Sequence, residues 1–331
     1  FFNPKINRHF RLYKKRFKKT INVTNNNRDK EILIFHAASA GEFEQIKPIL
    51  NALKNRKKYF IIQTFTSPTV YEKEKDNTLF DICCYHPYDF LWLSYKFFKN
   101  ILPSKYIITR HDVWPIHLLV CKYLNIPCYY INANIHPQSI WLYKLIRKFS
   151  QTIFSLFKMI CVPSNKIKNR LESVCNPNVR IIVTGDTRFD QILDRAKTNN
   201  NNLLPKHYQN TRNIIFGSFD NFDEKIILNS LEKIFKNGDE SLSRDNVSIL
   251  LVPHEINKSQ IGRFIKNLSS LSFDAKLYSN ISNNTKSPVL VIDKVGILAD
   301  LYKLCTFAYV GSGFTSGVHS VIEPAVYGCT I

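Results

Sequence analysis

Short apolar runs alternate with longer amphipathic segments along almost the whole chain after residue 30. Such alternation is typical of βαβ units, in which parallel strands form a sheet that helices cover. It predicts an α/β protein with two Rossmann-like domains facing a cleft, where ligands bind at the carboxyl ends of the strands. The predicted strands are Glu31–His36, Tyr59–Phe65, Phe80–Tyr85, Lys105–Arg110, Pro127–Ala133, Met159–Pro163 and Arg180–Thr184, then Asn213–Phe216, Ser248–Val252, Val289–Ile292 and Phe307–Val310.

The segments divide the 331 residues into four parts. We predict a basic arm at 1–30, a first domain at 31–198, a linker at 199–210 and a second domain at 211–331. The linker prediction rests on the polar run Asn199–Asn202, which Pro205 follows. Hydrophobic residues make up 44% and charged residues 22%, which are ordinary globular values and exclude disorder, collagen and coiled coil. No apolar run in the sequence approaches the eighteen residues of a membrane span.

The net charge of +20 is concentrated in the arm, which carries ten basic residues and one acid. Apolar residues recur there at helical spacing, so the arm predicts a helix with an apolar stripe flanked by cations. Such a helix suits an anionic membrane surface, although a helix packed on its own domain explains the stripe equally well. Phosphate backbones attract the same charge, but no RNA- or DNA-binding pattern is present, so no nucleic-acid partner is expected. The stripe residues are Ile6, Phe10, Tyr13, Phe17 and Ile21.

The eight cysteines form no CxxC pair, and most lie in apolar runs. This usage favours buried free thiols in a reducing cytoplasm over a zinc site or a disulfide framework. We expect neither a metal nor a cofactor.

Glycine is scarce, at 10 residues, and four glycines lie between 311 and 328. Gly311, Gly313 and Gly317 follow an apolar strand and precede a predicted helix, where backbone N–H groups could bind a phosphate. A tight turn explains the glycines equally well, but the nearby His319, Ser320 and Glu323 favour a nucleotide site. In that site the Glu323 carboxylate could accept hydrogen bonds from ribose hydroxyls.

Glu42 follows the first strand and a turn of small residues, at the start of a predicted helix. One interpretation is a helix cap that the dipole stabilises, and the other is a general base that takes a proton from a hydroxyl. A dipole lowers the pKa of a carboxylate, so a base here needs burial or a second carboxylate to raise it. Asp112, after the fourth strand, could be that neighbour while it also caps the next helix.

Three further segments lie at strand ends. Arg188 could face an anion or form an inter-domain salt bridge. Pro253-His254-Glu255 and Asp293–Ile297 could hold a base or a phosphate, or form tight turns. The other histidines, which include His86 and His117, are predicted to be structural.

Eight segments together resemble, in the family's order, the bacterial 3-deoxy-D-manno-octulosonic acid (Kdo) transferases of lipid A biosynthesis. The residues of these segments are similar to those of family members from Bacteroidetes-like bacteria. The segments are HAASAGEFEQ (36–45), RHDVWP (110–115), INAN (131–134), GDTRFD (185–190), GSFDNFDE (217–224), VPHEI (252–256), IDKVGILADLY (292–302) and VGSGFTSGVHSVIEPAVYG (310–328).

The resemblance implies a GT-B fold and an inverting transfer of Kdo from CMP-Kdo to a lipid A precursor, lipid IVA, at the cytoplasmic face of the inner membrane. It implies that Glu42 is the general base and that Asp112 and Arg188 support the transition state. Ser39 and Gly41 would lie on the acceptor side, and His319 would join the three glycines of the phosphate loop. The implied CMP-binding residues are Pro253, His254, Val295, Gly296, Ile297, Ser320, Val321, Ile322 and Glu323.

The sequence departs from the family pattern at three of these positions. Asp112 stands where a glutamate is usual, Arg188 where a lysine is common, and Ser320 where an asparagine is common. The chain begins at Phe1 and stops at Ile331 within an expected strand, so we interpret it as a fragment with a truncated second domain and a membrane segment upstream of Phe1. Activity is expected of the full-length protein and not necessarily of this fragment. The alternatives are another GT-B nucleotide-sugar transferase or epimerase, and a non-catalytic basic membrane-binding module.

Overall fold

The computed structural model describes residues 4–54, 57–197, 203–282, 284–315 and 317–331. The chain divides into two compact units, Phe1–Gln191 and Ile192–Ile331.

The first unit is built on a sheet of seven parallel strands in the order β3-β2-β1-β4-β5-β6-β7. All seven lie where the sequence predicts them, with ends shifted by a few residues. The strand order reverses between β1 and β4, and crevices at the carboxyl ends of such strands bind ligands in α/β folds. The strands are β1 (Glu31–Ala37), β2 (Tyr59–Phe65), β3 (Ile82–Tyr85), β4 (Lys105–Thr109), β5 (Cys128–Ile131), β6 (Phe157–Val162) and β7 (Ile181–Val183).

Eight helices connect or flank these strands, and the last crosses into the second unit. They are α1 (Pro4–Asn25), α2 (Ala40–Lys54), α3 (Pro68–Glu74), α4 (Leu91–Ile101), α5 (Pro115–Tyr123), α6 (Arg147–Phe154), α7 (Asn165–Glu172) and α8 (Thr187–Lys197). Because helices cover the sheet, the central strand β1 is buried from Ile32 to Ala37, as parallel sheets usually are.

Helix α1 confirms the helical pattern predicted in the arm, and its apolar stripe packs on the first unit. The Phe17 ring stacks on Phe97 of α4 at a centroid distance of 5.3 Å, and Tyr13 stacks on Phe17 at 5.4 Å. Thr20 and Thr24 on the same face are fully buried. The side chains of Ile6 and Phe10 lie outside the described residues. The membrane-facing interpretation of the stripe is therefore wrong between Tyr13 and Thr24, because this face of α1 is buried against the first unit.

The second unit contains five parallel strands in the order β10-β11-β9-β8-β12. The sequence predicted all except β10, an edge strand of three residues whose Lys276 is exposed, which is too short to show an apolar run. The strands are β8 (Arg212–Phe219), β9 (Val247–Pro253), β10 (Ala275–Leu277), β11 (Val289–Val291) and β12 (Cys305–Val310), and the helices are α9 (Asn221–Ile234), α10 (Asp239–Arg244), α11 (Lys258–Ser270), α12 (Leu298–Leu301) and α13 (Ile322–Val326).

The predicted linker at 199–210 is described only from Leu203 onward. Leu204 and Tyr208 are buried in the core of the second unit, and the Tyr208 hydroxyl donates to the Ser287 carbonyl at 2.6 Å. This part of the segment is packed structure of the second unit, because its two apolar side chains have a core to fill.

All eight cysteines are free, and six of them are buried. Among the described helices, none has the length and apolar character needed to cross a membrane.

Candidate active site

Glu42 lies at the third position of α2, where the sequence Ser-x-x-Glu forms a capping box. The Glu42 carboxylate accepts hydrogen bonds from the N–H groups of Ala38 at 2.7 Å and Ser39 at 3.1 Å. In return the Ser39 hydroxyl oxygen accepts from the Glu42 N–H at 3.3 Å. The structure therefore contains the helix cap, and a role as a base stays possible because both capping bonds go to Oε2 and leave Oε1 available.

Helix α2 is held against the sheet by the residues behind this cap. Phe43, Ile46 and Leu50 recur on one face of the helix, and each is at most 1% exposed. Burial of each such side chain contributes about 1.5–3 kcal/mol. The backbone that carries Glu42 is thus fixed in place by the packing of these apolar side chains.

The Glu42 side chain is itself buried, with 8% of its surface exposed. Burial raises the pKa of its carboxyl group, and the Asp112 carboxylate raises it further. The N–H groups of Ala38 and Ser39, together with His36, oppose this shift. The carboxylate is therefore more basic than an ordinary surface glutamate, which is the property that a general base requires.

Asp112 follows β4 on a turn whose backbone is strained. Arg110 adopts a left-handed conformation with a φ of 61°, which non-glycine residues rarely occupy. Its N–H donates to the Ile131 carbonyl at 3.2 Å, and its own carbonyl accepts from the Asn134 N–H at 3.0 Å. These hydrogen bonds to the end of β5 and the residues after it compensate the strain. They hold the turn so that Asp112 lies against His36 at the end of β1.

The turn before α8 is tied to the Glu42 helix. Asn132 donates from its side-chain amide to the Thr187 hydroxyl at 2.7 Å and accepts from the Thr187 N–H at 3.2 Å. The Thr187 hydroxyl in turn donates to the Gln45 carbonyl on α2. Gln191 of α8 also donates to Glu44 of α2 at 2.9 Å.

Arg188 is the second residue of α8, and its charge is already paired. Its guanidinium group contacts the Asp186 carboxylate at 2.6 Å and 2.8 Å, and the Arg188 N–H donates to the other oxygen at 2.9 Å. The acidic partner of Arg188 is thus Asp186, two residues earlier in the chain, and not a residue of the other domain, which was the alternative from the sequence. The Arg188 side chain remains 43% exposed, so it can still contact a ligand.

In the second unit, a buried carboxylate holds the glycine loop. Asp223 of α9 is fully buried and accepts from the Asp220 N–H at 2.9 Å, the Ser312 N–H at 2.8 Å and the Tyr309 hydroxyl at 2.6 Å. A Cβ atom on Gly311 would lie 2.5 Å from the Phe219 Cα and 2.6 Å from the Ser218 carbonyl. Glycine is therefore required at 311 so that the chain can pass close to β8.

The glycine loop does not run directly into a helix as predicted. Residues 313–315 form a turn, and α13 begins only at Ile322 and contains five residues. Gly317 needs its glycine because its φ is +100°, and Gly313 is exposed. The expected cradle at a helix N-terminus is wrong for these three glycines, because the chain first returns through His319 and Ser320 before it becomes helical.

His254 and His319 come together from separate segments. Their rings stack at a centroid distance of 4.6 Å, and His319 Nε2 lies 3.1 Å from the Ser312 hydroxyl. Pro253 and His254 also line a cavity of about 220 Å³ with Phe219, Asp220 and Glu224. Two of the residues singled out from sequence thus share one surface beside a cavity in the second unit.

A second group of predicted residues converges around Arg195 of α8. Arg195 binds both oxygens of Asp300, at 2.8 Å and 2.9 Å, and donates to the Gly296 carbonyl at 3.1 Å. Burial raises the pKa of Glu323, Arg195 lowers it and Asp300 raises it. Val295 is 83% exposed on this loop, whereas Ile297 is buried beneath it. Ser320 and Val321 are exposed just before α13, where Ile322 and Glu323 form the first turn.

Sequence reasoning missed His36, Asn132, Asp223 and Arg195. A signal existed for Asp223, because Asp220-x-x-Asp223 has capping-box spacing before α9, and the structure contains that box. Within the described residues, no group of three histidine, cysteine or acidic side chains is arranged to hold a metal ion.

Comparison with known proteins agrees with this architecture. Among solved structures, the UDP-GlcNAc 2-epimerase from Neisseria meningitidis bound to UDP-GlcNAc matches with a TM-score of 0.57 and 14% identity, covering 84% of this chain and 76% of that one. A glycosyltransferase from Rickettsia africae matches with a TM-score of 0.51 and 14% identity, covering 85% and 72%. At such identities these likenesses show the fold alone, and the predicted GT-B type of α/β fold is confirmed.

Two curated relatives are similar in sequence. The 3-deoxy-D-manno-octulosonic acid transferase of Haemophilus influenzae is 24% identical over 302 residues, which are 89% of this chain and 68% of that protein. The enzyme of the same name from Aquifex aeolicus is 25% identical over 304 residues, covering 91% and 75%. The family model described as 3-deoxy-D-manno-octulosonic-acid transferase (kdotransferase) matches residues 8–191, more than half of the chain. By this match, the chain belongs to the Kdo transferase family.

Proposed function

We propose that this protein is an inverting glycosyltransferase that moves Kdo from CMP-Kdo to a hydroxyl group of a lipid A precursor. The observation that carries the proposal is the buried Glu42 carboxylate, whose pKa burial and Asp112 raise at the carboxyl edge of the first sheet. Family membership supplies the reaction class, and this carboxylate supplies the base that the reaction needs.

Glu42 takes the proton of the acceptor hydroxyl as its oxygen attacks the anomeric carbon of the donor. The new carbon–oxygen bond forms as the bond to the CMP phosphate breaks, so the phosphate departs with the electron pair and the proton stays on Glu42. The capping bonds from Ala38 and Ser39 hold one carboxylate oxygen in a single orientation. Such preorganisation reduces the reorganisation that proton transfer would otherwise require.

Asp112 and Arg188 serve the charges that develop on the donor. An anionic Asp112 stabilises positive charge at the oxocarbenium-like centre. Arg188 binds the sugar carboxylate with the donors that Asp186 leaves available, since a guanidinium group has five N–H donors. Gly41 has no atom within 4 Å of a Cβ built upon it, so the surface beside Glu42 is open for the acceptor.

CMP binds in the second unit. The stacked His254 and His319 face the phosphate, and the amides of Gly313 and Phe314 contribute neutral donors. The other described amides of the Gly311–Gly317 loop donate within the second unit, namely those of Gly311, Ser312, Thr315 and Gly317. Glu323 accepts from the ribose, beside the loop at Val295–Ile297 that Arg195 holds.

A membrane-facing surface lies on the first unit from Ile140 to Phe149 of α6, and it replaces the arm stripe in this role. Ile140, Tyr143, Leu145 and Phe149 are 49–97% exposed there, and they alternate with exposed cations. Apolar tips among cations are suited to an anionic bilayer interface, where a lipid A precursor resides. The cations are Lys144, Arg147 and Lys148.

The test is mass spectrometry of a lipid A precursor incubated with the full-length protein and CMP-Kdo. We expect a mass increase of one or more Kdo units, none with Glu42→Gln, and none when UDP-GlcNAc replaces the donor. Conversion of UDP-GlcNAc without any Kdo product would contradict the proposal and favour an epimerase.

A further inference from the structure

The buried imidazole of His36 lies between Thr64 and Asp112. His36 and Thr64 are register partners on β1 and β2, and Nδ1 of His36 is 2.9 Å from the Thr64 hydroxyl. Nε2 of His36 is 2.8 Å from Oδ2 of Asp112. His36 has no exposed surface, and the Asp112 side chain is 14% exposed.

The contact between Nε2 and Oδ2 requires a proton. An unprotonated imidazole nitrogen presents a lone pair, and at 2.8 Å it would repel a carboxylate oxygen. Among the described residues, no donor is aligned with this buried oxygen, and the 2.8 Å contact with His36 is a close approach rather than an aligned hydrogen bond. A buried carboxylate oxygen without a partner is costly, and a small rotation of the ring or the carboxylate would align a proton on Nε2 with it.

Thr64 fixes the opposite side of the ring. Its hydroxyl lies 3.2 Å from the Phe35 carbonyl, which can only accept. If the hydroxyl donates to Phe35, then Nδ1 must donate to Thr64, and a proton on Nε2 makes the ring an imidazolium. If it donates to Nδ1 instead, the neutral ring carries its proton on Nε2. The second arrangement and the imidazolium form of the first place a donor toward Asp112, whereas the neutral form of the first leaves Nε2 to accept from the Thr66 hydroxyl, 3.5 Å away.

We propose that His36 is a positioning residue of the Glu42 site, which holds the Asp112 carboxylate beside Glu42 through a proton between Nε2 and Oδ2. The proposal rests on the proposed function, because Asp112 matters only if Glu42 acts as a base. The consequence is electrostatic: Asp112 raises the pKa of Glu42, so a displaced or neutralised Asp112 weakens that base.

The remaining surroundings of His36 are buried and aromatic. Its ring stacks on His86 at 3.8 Å, and His86 Nε2 lies 3.0 Å from the Tyr106 hydroxyl and 3.2 Å from His117 Nδ1. Burial lowers the pKa of His117 to about 3, so this ring is neutral at physiological pH. The titratable groups that face His36 from the elements packed on it are Glu42, His86, Tyr106, Asp112 and His117, with Asp89 behind His117 at 3.7 Å.

Two substitutions separate the two nitrogens of the ring. Asparagine at 36 places its amide near the former Nδ1, and glutamine places its amide near the former Nε2. We expect His36→Asn to lower kcat about tenfold or more with the donor KM within about twofold, and His36→Gln to restore much of the loss. In the Asp112→Asn background, His36→Asn should cost little more, because the two residues act as one unit. Wild-type kcat in His36→Asn, or fully additive losses, would overturn the proposal.

A measurement without substrate keeps this test separate from the proposed function. The measurement is NMR of protein with ¹⁵N-labelled histidine. The ring signal of His36 is identified by its absence from the spectrum of His36→Asn, and it should show a proton on Nε2. Its exchange with solvent should accelerate about tenfold in Asp112→Asn and stay within about twofold in Asp89→Asn, the matched carboxylate at His117. Slow exchange together with absent Kdo transfer would refute the function and keep the His36–Asp112 contact; unchanged exchange in Asp112→Asn would refute the contact.

Discussion

Oδ2 of Asp223 accepts the Ser312 N–H at 2.8 Å and so joins the start of α9 to the loop after β12. The same carboxylate accepts from the Asp220 N–H and the Tyr309 hydroxyl. One fully buried side chain thus ties three segments of the second unit together, at the loop that we propose to bind phosphate.

Asp223→Ala should destabilise the protein strongly. It leaves the Ser312 and Asp220 N–H groups without this acceptor, and each unsatisfied buried donor costs about 1–3 kcal/mol. Urea unfolding should show a lower midpoint at an unchanged slope. Asp245→Ala is the matched control, because that aspartate pairs at the surface with Arg244 and should change stability by less than about 0.5 kcal/mol. Equal midpoints for Asp223→Ala and the control would contradict the assigned role.

Glu42→Gln should abolish transfer while it preserves the fold. Glutamine occurs in capping boxes and can still accept from Ala38 and Ser39, but it cannot take a proton. We expect Kdo transfer to fall about a hundredfold or more, with CMP binding unchanged by calorimetry. Turnover near that of the wild type would exclude Glu42 as the base.

The same variant should alter how stability depends on pH. The folded-state pKa of Glu42 is raised above the ordinary value of 4.5, so the folded protein holds this proton more tightly than the unfolded chain does. The stability that the proton contributes is complete below pH 4.5 and is lost as pH rises through the folded pKa. Glu42→Gln should therefore gain stability relative to the wild type as pH rises from 4.5 toward neutrality. Thermal unfolding across this range measures the difference, and a difference independent of pH would contradict the raised pKa.

Gly41→Ala should reduce activity without a loss of stability. No atom lies within 4 Å of the added Cβ, and alanine favours helix over glycine by up to about 1 kcal/mol. The methyl group would nevertheless occupy the open surface beside Glu42 where we place the acceptor. Gly262→Ala on α11 is the control, since its Cβ also meets open space. Initial rates should fall in Gly41→Ala and stay at the wild-type level in Gly262→Ala. Melting temperatures should fall in neither variant.

Arg195→Lys should weaken CMP binding about tenfold. Lysine keeps the positive charge but cannot bind Asp300 with two parallel hydrogen bonds and Gly296 with a third donor. The loop at Val295–Ile297 then loses its support. Lys197→Ala is the control, because Lys197 is an exposed residue of the same helix. Isothermal titration with CMP measures both, and equal affinities would remove Arg195 from the binding site.

Leu145→Ser combined with Phe149→Ser should release the protein from anionic vesicles. Leu145 is 97% exposed, and transfer of each apolar side chain from water contributes about 1.5–3 kcal/mol. Flotation with phosphatidylglycerol-containing vesicles should show about tenfold weaker binding or more. Ile234→Ser, at an apolar position in the second unit that is 68% exposed, should have no effect. If the two variants bind alike, the membrane-facing surface lies elsewhere.

The resemblance and the local patterns predicted much of the candidate site. Glu42, His254 and His319 were singled out because glycine turns and strand ends are local features of a sequence. The pairing of Arg188 with Asp186 was missed, although these residues are two positions apart, because pairing depends on how the turn before α8 folds back. The phosphate loop was placed at a helix start because nothing in its spacing reveals the five-residue length of α13.

The amino-acid sequence by itself determined the α/β architecture, since apolar runs of strand length recur between amphipathic helices and burial on both sheet faces demands that pattern. It also determined the capping box at Glu42, which needs only four consecutive residues. The tertiary structure alone decided which groups meet. His36 meets Asp112, and Asp223 meets Ser312, because sheet order and loop return bring together residues that are 76 and 89 positions apart. It also decided that α1 packs on the first unit, because an apolar stripe in a sequence has the same pattern whether it contacts a protein core or a bilayer.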